Sequence, residues 1–135
     1  MASHVFEARV HGDLEGVRSR LVDALREEGF GILTEIDVRR TLAEKLGEEI
    51  EPYVILGACN PALAHKALSI DRSVGALLPC GVALRADGDG VAIYMQDPEA
   101  IFAGLDPALR GKLAGLSGEA STRLRAALRR VKPGS

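Results

Sequence analysis

Between residues 4 and 11, Phe6, Ala8 and Val10 fall on one side and Glu7, Arg9 and His11 on the other, the alternation of a half-buried strand. Gly12-Asp13 supplies a turn and a helix cap. Leu14, Val17, Leu21 and Leu25 then recur at helical spacing up to Gly29, a natural residue just past a helix end. Gly31 to Ile36 reads as a second strand, and Asp37 caps a short helix with a Val38, Leu42, Leu46 stripe that stops at Gly47. Tyr53 to Cys59 is apolar on both faces and is expected to be a central strand. Asn60-Pro61 combines a capping side chain with proline at the first helical position, opening a helix to about Ser69. Residues 76–86 and 91–96 predict a hairpin around Asp87-Gly88-Asp89-Gly90. Asp97-Pro98 and Asp106-Pro107 each start a helix. The second carries Leu109, Leu113, Leu116, Leu124, Leu128 and Val131, weakened by Gly111, Gly115 and Gly118.

The predicted order β-α-β-(α)-β-α-β-β-α, with one hairpin and no repeat, calls for an α+β fold. It is a two-layer sandwich in which a mixed or mostly antiparallel sheet carries helices on one face. No linker divides the chain. A single domain is expected over 1–135, with a core at about 4–104 and a C-terminal helix at about 107–132.

Composition adds two things. With 47% apolar residues, no Trp and 4% aromatics, the core must be aliphatic. The net charge of −2 hides an asymmetry: residues 107–135 hold seven basic side chains and one acidic, whereas residues 1–106 hold ten basic and eighteen acidic. A basic segment on an acidic body could bind an anionic partner. No aromatic residue is interleaved with its arginines to stack bases, so the expectation is that it packs on its own body or a partner subunit, without nucleic acid. No leader or membrane-spanning stretch is read from the sequence, and two cysteines make no disulfide scaffold. A cytoplasmic location is expected.

Candidate chemistry gathers around Cys59. This residue stands next to a predicted helix N-terminus, where the partial positive charge is expected to lower a thiol pKa. His65, on the same helix, leans back toward that end. Cys80 points with Val82 and Leu84, and it meets Cys59 if their strands are neighbours. Cys59, His65 and Cys80 would suit zinc or cuprous copper. A reversible disulfide, or a Cys59 nucleophile assisted by His65, are alternatives. Several motifs fail: Gly29-Phe30-Gly31 precedes a strand instead of opening a helix, no phosphate-loop triplet occurs, and Val91 and Pro98 spoil a calcium loop at Asp87.

Gly57-Ala58-Cys59-Asn60-Pro61, then Leu63-Ala64-His65 and Ala67-Leu68, then Leu77-Leu78-Pro79-Cys80, together with Gly29 to Val38, resemble the bacterial and archaeal family called domain of unknown function 302. The resemblance covers roughly residues 5–102 and leaves the basic tail outside. Position 81 is Gly where the family leads one to expect Asn. The resemblance implies a fold similar to a half-repeat of TATA-binding proteins, a homodimer and no established activity, and it points to Cys59, Asn60, His65 and Cys80. The leading expectation is a non-enzymatic binding or sensing module that holds a metal ion or small ligand there, with Asn60 and His65 as ligand-binding residues. The rival is a purely structural or dimerisation domain. A thiol-dependent enzyme ranks last because no residue is assignable as the orienting third group, and no catalytic residue is named.

Overall fold

The computed structural model describes residues 4–132. The ends of the expected 1–135 domain, and the first residues of an N-terminus expected to lack a leader, lie outside them. Five strands, β1 (Val5–His11), β2 (Gly31–Asp37), β3 (Tyr53–Cys59), β4 (Cys80–Asp87) and β5 (Gly90–Gln96), form one sheet in the order β1-β5-β4-β3-β2. Every neighbouring pair is antiparallel. The helices are α1 (Leu14–Glu27), α2 (Val38–Leu46), α3 (Pro61–Ile70), α4 (Pro98–Phe102) and α5 (Pro107–Val131), with a 3-10 turn at Arg72–Leu77. The fold is α+β, as the order of elements predicts.

Strand alternation divides the sheet into two faces. Val10, Val91, Ile93, Met95, Val82, Leu84, Leu56 and Ala58 fall on one side. They form one buried cluster with Val17, Leu21 and Leu25 of α1 and Leu124, Ala127, Leu128 and Val131 of α5. Helix-spaced stripes and strand alternation thus converge on one aliphatic layer, which supplies most of the driving force for folding. β3 is interior but not central. The middle strand is β4, and β3 lies between it and the edge strand β2.

The caps behave as residue chemistry dictates. Asp13, Asp37, Asn60, Asp97 and Asp106 each accept a backbone N–H from the first turn of the helix they precede. Gly29 and Gly47 end α1 and α2 at φ of +86° and +68°.

One further sequence expectation shifts. The strand predicted from residue 76 begins only at Cys80, because Pro79 has no N–H to give to a ladder; the Leu78–Pro79 bond is cis. The glycines do not break α5. Gly111 and Gly115 face open space, so they cost helix propensity, about 1 kcal/mol each, but no packing, and the buried stripe from Leu113 to Val131 outweighs them.

That packing also engages part of the basic C-terminal charge. Arg130 pairs with Glu28 at 3.0 Å, Arg123 donates to the Glu28 carbonyl at 3.4 Å, and the Arg125 guanidinium lies 5.2 Å from the centre of the Phe6 ring. These half-exposed contacts contribute little energy, but they place the basic helix against its own body. At the hairpin tip, Arg9 donates to the Asp87 carbonyl at 2.6 Å and to Asp89 at 2.9 Å. The latter bond holds the Asp89 carboxyl below the usual range. The aspartates are thus engaged in a turn.

Candidate functional site

A second apolar cluster, built on Ala67, Val74, Phe102 and Leu113, lies apart from the main core. A cavity of about 50 Å³ sits at the seam between the two. Phe30, Ala58 and Cys80 face it from the main core, and Ala67, Leu78 and Phe102 from the second cluster. The space survives because the residues at the seam are short. Ala58 and Cys59 end β3, Ala64 and Ala67 lie on α3, and Ser117 and Ala120 on α5. None reaches across, and larger side chains would close the gap.

Local sequence positions each group. Asn60 caps α3, its Oδ1 accepting the Leu63 N–H at 3.2 Å. Its Nδ2 sits where a Cβ on Gly29 would come within 2.9 Å, so the glycine that ends α1 also makes room for the cap of α3. Gln96, the last residue of β5, accepts the Gly81 N–H through Oε1 at 2.9 Å. Gly81, where the family resemblance leads one to expect Asn, therefore contributes through its backbone. Ser117 is buried and donates to the Ala114 carbonyl at 3.2 Å.

The register answers whether the two thiols meet. β3 and β4 are neighbours, Ala58 lies directly opposite Cys80, and both Cys59 and Cys80 border the cavity. The expected activation of Cys59 does not occur; burial pushes its thiol pKa up instead. The physical reason is that the Asn60 side chain and carbonyl already accept the Leu63 and Ala64 N–H groups, while the sulfur borders apolar surface that penalises its charged form. Burial, with a smaller contribution from Cys59, raises Cys80 further, from 9.0 to about 11. Both sulfurs are mainly protonated at neutral pH, so neither is an activated nucleophile.

His65 is not part of this arrangement. It is exposed and does not border the cavity. At about 100° per residue it lies roughly 160° around α3 from Leu63, which does face the cavity, so the lean toward Cys59 fails on direction. Among the described residues no group of three His, Cys, Asp or Glu side chains is gathered to hold a metal ion. The Cys59, His65, Cys80 ligand set is therefore not assembled.

The sequence also misses half the wall. Gln96, Phe102, Leu116 and Ser117 come from β5, α4 and α5, far from Cys59 in the chain. The one signal for Ser117 is its position four residues after Leu113, where the α5 stripe calls for an apolar side chain. Among the described residues no Asp, Glu, Lys, Arg or His borders the cavity. Its polar groups are two amides, one hydroxyl and two thiols.

Among the described residues no helix is long and apolar enough to cross a membrane. The sequence profile of the family described as domain of unknown function DUF302 matches residues 6–131. This takes in α5, which the resemblance read from sequence leaves outside. In the structure α5 packs into the main core through Leu124, Ala127, Leu128 and Val131. The crystal structure of an uncharacterised conserved DUF302 protein from Bacillus stearothermophilus is 31% identical. It aligns over 97% of this chain and 100% of its own, with a TM-score of 0.85. No curated protein matches the chain.

Proposed function

The chain belongs to the DUF302 family, whose name records no activity, and we propose that it is a binding module for a small uncharged molecule held in the cavity beside Cys59, Asn60 and Cys80. The observation that carries this reading is a mainly apolar cavity with amide and hydroxyl groups on its wall and no charged side chain. An ion placed there would lose its hydration without a compensating partner, at a cost of several kcal/mol. A neutral body with one hydrogen-bonding end loses little. Size narrows the class further. One water needs roughly 10–15 Å³ of such space, so 50 Å³ suits a ligand of only a few non-hydrogen atoms. At a ceiling of about 1.5 kcal/mol per atom, its affinity is bounded near the micromolar range.

Propionamide and propionate share size and shape and differ in charge. Titrated into isotopically labelled protein and followed by NMR, propionamide is expected to shift amide signals from residues 58–67, 80–81 and 116–120 with a Kd on the order of a millimolar or below. Propionate is expected to bind at least about tenfold more weakly, the factor that 1.4 kcal/mol represents. Equal binding of both, or shifts elsewhere, would remove this reading.

The face of the sheet turned away from α1 and α5 favours self-association as an additional property. Val5, Ile55, Ala83 and Tyr94 line a shallow depression there with Ile101. A self-complementary pairing of two such faces would be isologous. Light scattering on the purified chain is expected to give twice the chain mass, and Ile55→Arg half of that. A monomeric wild-type protein at micromolar concentration would reject this pairing.

A further inference from the structure

Cys59 and Cys80 occupy positions suited to a covalent link. Ala58 is the direct partner of Cys80 across the β3–β4 ladder, so Cys59 is one residue off register. Opposed Cα atoms about 5 Å apart, combined with one residue's rise of about 3.4 Å, put the two Cα atoms roughly 6 Å apart. Disulfides span ~4.4–6.8 Å. Strict alternation would turn Cys59 to the opposite face of the sheet. As the last residue of β3, ahead of the Asn60 cap, it instead borders the same cavity as Cys80. Both thiols are free. Cys59 is half-buried and within reach of a small reagent, whereas Cys80 is buried, with 8% of its surface exposed.

We propose that Cys59 and Cys80 are a two-cysteine oxidation site that closes to an intramolecular disulfide on reaction with a low-molecular-weight disulfide. The Cys59 thiolate attacks one sulfur of the reagent, forming a mixed disulfide and releasing one thiolate of the reagent. The Cys80 thiolate then attacks the Cys59 sulfur, forming the protein disulfide and expelling the second thiolate. The two protein thiols lose two electrons and two protons. The electrons reduce the reagent's S–S bond, and the protons end on its two thiols. The bond ties the strand entering α3 to the start of β4 and closes the loop that holds α3 and the 3-10 turn. This site stands on the register and needs no ligand in the cavity. Burial of the thiols sets the rate: exchange is slow at neutral pH and quickens about tenfold per pH unit below the thiol pKa.

The test is incubation of the folded, reduced chain with oxidised glutathione at neutral and at alkaline pH, followed by alkylation, intact mass measurement and peptide mapping. The expected product is a chain lighter by two hydrogens, without alkylatable thiols, carrying a Cys59–Cys80 cross-linked peptide and reverting with dithiothreitol. Cys80→Ser should stop at a glutathione adduct on Cys59. The proposal fails if the wild-type chain itself stops at that adduct, if both thiols stay alkylatable at alkaline pH, or if the cross-link forms only between chains. The wild-type readout decides the matter even if a variant does not fold.

Discussion

Leu84→Ala is expected to lower stability by about 3–4 kcal/mol, within the range of fully buried Leu→Ala changes. Leu84 is fully buried on the middle strand, opposite Val54 on β3 and Ile93 on β5, and belongs to the layer beneath α1 and α5. A strand on either side and the helix layer above therefore pack around the removed atoms. A site enclosed on several sides relaxes poorly, so the cavity cost adds to the lost transfer energy. At about 4 °C per kcal/mol for a chain of this size, the melting temperature should fall by about 12–16 °C. Leu33→Ala is the matched control. Leu33 is a leucine on the edge strand with 65% of its surface exposed, and its loss should stay within about 0.5 kcal/mol. Equal effects at the two positions would mean that the sheet does not bury the face assigned to it.

Gly57→Val should also destabilise strongly, by about 3 kcal/mol or more, for the opposite reason. A Cβ at this position would collide with Thr34 Oγ1 and come within 2.7 Å of Pro79 Cγ. Gly57 pairs with Gly81 on β4, and the Pro79 ring, one residue before Cys80, lies over it. An added side chain would push away the segment that sets Cys80 beside Cys59. Overpacking alone costs roughly 1–3 kcal/mol, and the valine methyls add to it. Gly81→Ala provides the contrast, since its Cβ would meet only Gln96 Oε1, at 3.6 Å. Chemical denaturation of both variants should separate them by more than about 2 kcal/mol. If Gly57→Val is tolerated as well as Gly81→Ala, the end of β3 is not closed by Pro79.

Most of the architecture was legible because it rests on local rules. Phe6, Ala8 and Val10 alternate, Val17, Leu21 and Leu25 recur, and Asn60-Pro61 marks a helix start; each survives folding because the local preference and the core agree. What was left open or misread falls where a distant element decides. Whether α5 belongs to the body depends on Leu124, Ala127 and Leu128 meeting β-strand residues more than twenty positions away. The direction of His65 depends on which face of α3 turns toward α5 and the 3-10 turn. The thiol pKa depends on which apolar walls surround Cys59. The site was half visible for the same reason. Cys59, Asn60 and Cys80 stand in conspicuous local contexts, whereas Gln96, Phe102 and Ser117 join them only through the order of strands and the packing of α4 and α5.

The claim that the seam between the two clusters is a binding site is tested most directly by comparing the propionamide affinity of the wild-type chain with that of Ala120→Leu. Ala120 lies on α5, borders the cavity and is only partly buried, and leucine is a good helix former, so the helix keeps its place while the added carbons occupy the space. The expected result is an unchanged or slightly higher melting temperature together with binding weaker by at least about tenfold, the equivalent of 1.4 kcal/mol. Unchanged binding by the folded variant would place the ligand elsewhere and contradict that claim.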